Sequence, residues 1–243
     1  MIVALGAKPP APLSASADSQ ATADSLFLKR DRLANAVAAL AIYEKLAASP
    51  AANPEILWRA AMAHYFVTQR SPELTSALRE AGYESGLAFG RRALEHTAAD
   101  CAPCNFWTAV NLALLSELRG PFRALRTLKE VRALLAKTAE IDPAYAAGGA
   151  HRILGMIETR LPRLIGGDPY EARRYFKAAI ATAPDEPMNY LALAKLEAGH
   201  FENSQEALAL VERGLAQPMP SPDRAESRDA RLELTQLMPT LKN

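Results

Sequence analysis

The stretch Asp168–Pro184, reading DPYEARRYFKAAIATAP, decides the fold. Asp168 directly before Pro169 is the chemistry of a helix start: the carboxylate accepts an orphan N–H of the first turn, and proline there gives up no hydrogen bond. Ala172, Phe176 and Ala179 then fall on one helical face, and Pro184 closes the segment. A small residue at the first of these positions lets a partner helix approach closely, while the aromatic ring fills the gap beneath it.

The same punctuation recurs outward from this segment. Asn53-Pro54, Ser71-Pro72, Asp142-Pro143 and Ser221-Pro222 each place a capping side chain before a proline. Asn203 with Glu206 adds a capping-box arrangement, and Gly120-Pro121 marks a break between two helices. The spacing predicts helices over 24–48, 54–70, 73–98, 102–119, 121–141, 143–161, 168–183, 186–199, 203–216 and 222–238, the first and third open to division in two. Loops this short force neighbours to run antiparallel. The spacing of Ala172, Phe176, Ala179 and Pro184 is that of the second helix of a tetratricopeptide (TPR) repeat, whose period is about 34 residues. Weaker echoes stand at Ala39, Tyr43 and Leu46, at Gly86, Gly90 and Ala93, at Val131 and Leu135, and at Ala207 and Val211. The expected fold is therefore all-α, a TPR-like stack of about ten to twelve helices in roughly four or five degenerate repeats around a concave groove or cavity.

Composition sets the outer limits. The chain has 243 residues, 49% of them hydrophobic, which is enough for a continuous core. With 28 basic and 27 acidic side chains interspersed, it shows no electrostatic footprint for nucleic acid. No stretch approaches the roughly 18 apolar residues of a membrane span. Residues 1–23 are rich in Ala, Ser and Pro and read as a flexible tether; residues 24–221 form the repeat domain; residues 222–243 supply a charged capping helix and tail.

Candidate binding residues follow from which helix faces carry aromatic or unusual side chains. Trp58, Tyr65, Phe66, Phe106 and Tyr190 sit on the first helices of the pairs, which line the concave side of a superhelical stack; plain core is the alternative reading. Trp107 shares a stripe with Val110, Asn111 and Leu114, so an amide lies among apolar neighbours, either bonded to backbone or free to orient a ligand headgroup. Gly148, Gly149 and Gly155 weaken a helix by roughly 1 kcal/mol each, offset either by close packing or by room for a ligand beside His151, Arg152 and Met156. Cys101 and Cys104 ahead of a helix fit a structural disulfide, packed thiols or redox exchange. The four histidines are scattered, with no HExxH, P-loop, GxGxxG or GxSxG arrangement, so neither catalysis, a metal nor a cofactor is expected.

Gly148, Gly149, Arg152, Leu154 and Gly155, then Pro162 before Gly166, Gly167 and Asp168, together with Cys104 and Trp107 at a helix start, form a pattern beyond generic repeat sequence. It resembles the T-component family of tripartite ATP-independent periplasmic (TRAP) transporters over roughly residues 25 to 216. The resemblance implies a periplasmic lipoprotein whose helices surround an apolar cavity and which partners a periplasmic binding protein or transporter subunit. Residues 1–23 contain no cysteine for lipid attachment, so any membrane association would run through an anchor supplied elsewhere, in an outer-membrane-anchored full-length form.

The main expectation is thus a non-catalytic carrier or accessory component of a transport system, holding an apolar or amphipathic, lipid-like small molecule. The alternative is a TPR-type adaptor that grips a peptide or a partner subunit.

Overall fold

The computed structural model describes residues 19–97, 100–218 and 224–242, and among these the chain forms eleven α-helices, one short 3-10 turn and no strand. The helices are α1 (Gln20–Leu28), α2 (Leu33–Ala47), α3 (Pro54–Arg70), α4 (Ser76–Thr97), α5 (Ala102–Leu118), α6 (Pro121–Ile141), α7 (Gly149–Arg160), α8 (Pro169–Thr182), α9 (Pro187–His200), α10 (Ser204–Ala216) and α11 (Ala225–Leu241). None among the described residues is long and apolar enough to cross a membrane. They fall into two compact units, one ending at Leu134 and one beginning at Leu135, so the boundary lies within α6.

Several caps act as their residues dictate. Asn53 Oδ1 accepts from Ile56 N at 2.9 Å, Asp168 Oδ1 from Tyr170 N at 2.8 Å, and Asn203 Oδ1 from Glu206 N at 3.1 Å. Gly120, at a φ of 103°, makes the break between α5 and α6. The pair Ser221-Pro222 and the boundary at 221/222 lie outside the described residues, as do residues 1–18 of the expected tether.

Three boundaries differ from expectation, each for a local reason. Ser19 Oγ accepts from Thr22 N at 3.1 Å and starts α1 inside the segment read as tether; Ala23 and Phe27 then bury themselves, with Phe27 edge-on to Tyr43 and Phe66. The expected 24–48 helix is accordingly two helices, separated at 29–32 by a turn on which Asn35 Nδ2 donates to Lys29 O at 2.8 Å. Ser71 ends α3 rather than starting α4; its amide donates to Val67 O at 3.1 Å, and the cap of α4 is Thr75, whose hydroxyl accepts from Leu78 N at 3.3 Å. After Asp142-Pro143 no helix forms until Gly149. Asp142 Oδ1 accepts from Ala144 N at 2.9 Å, and Ala146, Ala147 and Gly148 then adopt left-handed φ values of 51°, 53° and 74°. Two consecutive alanines there cost backbone energy that surrounding contacts must offset.

In the first unit, α4 packs against both α3 and α5, and α3 and α5 also touch each other. Glycines at 82, 86 and 90 permit this: a Cβ on any of them would collide with Thr68 of α3, Asn111 of α5 or Thr108 of α5, respectively. Asn111 sits fully buried in this seat, with Nδ2 donating to Ala61 O of α3 at 3.1 Å and to Trp107 O at 2.8 Å.

In the second unit, Phe176, Tyr190, Leu193, Leu196, Leu210 and Leu234 form a common core drawn from α8 to α11. Asn189 ties it to the left-handed turn: its Nδ2 donates to Ala147 O at 3.1 Å, Ala179 O at 3.0 Å and Ala183 O at 3.2 Å, while its Oδ1 accepts from Arg152 Nη1 at 2.7 Å. Arg152 also donates to Ala147 O at 3.1 Å and Ala146 O at 3.4 Å, so the strained carbonyls are held by two buried side chains. The nearly buried Glu197 receives Arg173 through two bonds of 2.7 and 2.6 Å, and Glu186 accepts from Ser227 Oγ at 2.8 Å, joining α9 to α11.

Asn189→Ala removes three buried hydrogen bonds to carbonyls and the acceptor of one Arg152 N–H, so it should cost about 2–4 kcal/mol of unfolding free energy, against about 1 kcal/mol for the exposed cap variant Asn203→Ala. Urea denaturation of the two variants checks this; equal losses would show that the buried network contributes no more than a cap.

Candidate functional site

The aromatic residues of the first unit divide by exposure into two sets. Phe66 and Phe106 are core residues, each 3% exposed. Phe66 meets Phe27 edge-on at 5.6 Å, and Phe106 meets Trp107 edge-on at 4.9 Å. Trp58, Met62 and Tyr65 are only half-buried and lie along one face of α3, as do Trp107 and Leu114 on α5. Tyr65 and Trp107 touch across the two helices with ring centroids 5.4 Å apart, joining the rows into one face.

Charged neighbours fix the outer end of that face. The Arg59 guanidinium lies 4.1 Å above the Trp58 ring, and its Nε donates to Asp24 Oδ1 at 3.0 Å; Glu55 closes on the same guanidinium. Tyr43 donates to the same Asp24 oxygen at 2.5 Å, and burial, followed by the Asp24 carboxylate, pushes its hydroxyl pKa far above the usual phenol range. Trp58 Nε1 is buried and meets no acceptor among the described residues. Behind the face, the fully buried His64 stacks on Phe89 at 5.6 Å with its Nε2 3.1 Å from Glu44 Oε1; the bond to His64 holds the Glu44 carboxyl below its usual range.

Asn111 does not project into this face: Nδ2 is spent on two backbone carbonyls and Oδ1 lies over Gly86, so the amide fastens α5 to α3 and α4. Cys101 and Cys104 are joined by a disulfide at the first turn of α5, with Cys104 fully buried. This closes the turn that presents Phe106 and Trp107.

The remaining predicted site residues belong to the second unit, where they mostly build structure. A Cβ on Gly148 would lie 3.0 Å from Ala179 O, and one on Gly155 would lie 2.5 Å from the Phe176 ring, so both glycines are filled by protein rather than left as open volume. Arg152 is turned inward to carbonyls and Asn189, not toward a headgroup. Met156 packs against the core, and Tyr190 lies buried within it. His151 is half-buried at 6.4 Å from the Tyr175 ring, with Nδ1 buried and without a partner among the described residues. Sequence reasoning did not single out Asn189 as a hub, because a lone asparagine in an amphipathic helix carries no signal of the three carbonyls that converge on it. The Arg59 clamp on Trp58 likewise carries no signal in the sequence.

These paired helices, with first helices α3 and α5 side by side and glycine-mediated contact to the intervening α4, define a TPR-like helical-repeat protein. The crystal structure of TTC0263, a thermophilic TPR protein of Thermus thermophilus, is similar with a TM-score of 0.64 at 20% identity, covering 90% of this chain and 100% of that one; the likeness carries the fold. The chain belongs to the family of regulator of microtubule dynamics proteins 1–3, whose model matches residues 20–242. No curated protein gives a match.

Burial, then the Arg174 charge, lowers the pKa of His151. An unfolded imidazole with its ordinary value near 6.5 therefore binds a proton that the folded one refuses. The folded state loses stability as pH falls through about 6.5 toward the folded value, and keeps it above. Unfolding free energies measured at about pH 7.5 and pH 5.5 should differ less in His151→Gln than in the unaltered chain; an unchanged difference would place the pH dependence on other groups.

Proposed function

We propose that the chain is a non-catalytic TPR-type adaptor that holds a polypeptide partner against the face formed by α3 and α5. The observation that carries this reading is the joined, half-buried row of Trp58, Met62, Tyr65, Trp107 and Leu114 on two adjacent first helices. Large aromatic side chains left half in water by their own fold offer apolar area and hydrogen-bonding edges at low entropic cost, which is the composition of binding hot spots. Because α3 and α5 are locked by Asn111 and the α4 glycines, the face is rigid before a partner arrives, and preorganisation lowers the cost of binding. Membership in a family named for regulating microtubule dynamics supports a role exercised through other proteins.

An extended or helical segment laid across the face would place apolar side chains between Trp58 and Trp107. This reading also assigns different work to the two units: the second supplies a stable core built on Asn189 and Glu197, and the first supplies the recognition surface.

Peptides selected from a display library on the immobilised chain provide the test. Tyr65→Ala and Trp107→Ala should each weaken a selected peptide by about tenfold or more in fluorescence anisotropy, the loss typical of a hot spot. Unchanged affinity in both variants overturns the proposal. A stoichiometric lipid retained by the purified chain in native mass spectrometry would do so too, in favour of a carrier.

A further inference from the structure

Helix α6 presents a second, chemically different surface. From Pro121 to Glu130 none of its residues is buried; burial starts at Val131 and continues at Leu135 and Thr138 on the opposite side of the helix. On the outward side, Phe122 is 82% exposed and Leu125 39%. Arg126 and Lys129 stand beside Phe122 one and two turns on, and Arg123 flanks them. No ion pair involves Arg123, Arg126 or Lys129 among the described residues, and the adjacent Glu130 is engaged by Arg91 at 3.3 Å.

Local helix energetics oppose this arrangement. The first turn of α6 holds no acidic residue, and Arg123 within it lies at the positive end of the helix dipole, where an anion would be favoured. Arg123, Arg126 and Lys129 repel one another at successive intervals of three residues. The exposed Phe122 adds nothing to the core. A strip that weakens its own helix and contributes nothing to packing departs from local consistency in the way functional surfaces do.

We propose that the first three turns of α6 dock an acidic polypeptide segment, with its carboxylates on Arg123, Arg126 and Lys129 and one apolar side chain on Phe122. Charge complementarity selects this occupant, since an anionic chain relieves the three unpaired cations and the helix dipole together. A lipid surface fits less well: α6 has already buried its apolar side, leaving only Phe122 and Leu125 for insertion. The strip is distinct from the α3–α5 face and does not depend on it.

A fluorescein-labelled peptide of glutamates around a central leucine, titrated into the full chain, tests the proposal by anisotropy. Binding should weaken as salt is raised, and should weaken by about tenfold or more in Arg126→Glu/Lys129→Glu and in Phe122→Ser. Replacing the peptide's leucine by glycine should weaken it as well. These side chains are exposed, so circular dichroism of the variants should be unchanged. No binding, or equal binding by the charge-reversed variant, overturns the proposal. So does a chain that ignores the peptide but binds vesicles of phosphatidylcholine and phosphatidylserine in a manner abolished by Arg126→Glu/Lys129→Glu, which would assign the strip to a membrane.

Discussion

Helix α4 carries glycine at positions 82, 86 and 90, and each hydrogen that replaces a side chain there is covered by a polar residue of a neighbouring helix: Thr68, Asn111 and Thr108. Most helix pairs keep their distance through interlocked apolar side chains. Here α3 and α5 approach α4 backbone closely enough that Asn111 reaches the Ala61 carbonyl of α3. Glycine inside a helix costs roughly 1 kcal/mol relative to alanine, and three in one helix are tolerated because the close approach returns packing and two buried hydrogen bonds from Asn111 Nδ2. The consequence extends beyond stability. With α3 and α5 held at this separation, Tyr65 and Trp107 come into contact, and two short aromatic rows become one surface.

The second unit solves a comparable problem with different chemistry. Its left-handed turn at Ala146, Ala147 and Gly148 is offset by Arg152 and Asn189, both buried and both hydrogen-bonded to its carbonyls. Gly148 is required twice over, by its positive φ and by the Ala179 backbone lying against it. Polar groups of a kind that could hold a ligand are thereby consumed in holding the fold, whereas the half-buried aromatics of α3 and α5 and the side chains of Arg123, Arg126 and Lys129 on α6 are not.

Much of this was legible in the residues, and what escaped did so for identifiable reasons. The run from Asp168 to Pro184 gives α8 because cap, proline and apolar period all agree there. Ser71-Pro72 and Asp142-Pro143 present the same dipeptide chemistry yet do not start helices at those points, since a cap signal is local while the choice at 142–148 is settled by Arg152 and by Asn189 on a distant helix. The separation of core aromatics from surface aromatics was likewise hidden. Phe66 and Tyr65 are neighbours in sequence, and only the positions of Phe27 and Trp107 decide which of them faces inward. Asn111 was ambiguous between ligand and backbone because its acceptor, Ala61, is 50 residues away.

The chain contains two tryptophans, Trp58 and Trp107, and both stand on the α3–α5 face, which makes that face directly observable. Fluorine NMR of protein carrying 5-fluorotryptophan, titrated with a display-selected peptide, measures whether this surface is where a polypeptide is held. Movement of both indole resonances along a single saturation curve is predicted. Two resonances that stay in place while calorimetry shows the same peptide reaching saturation would contradict it.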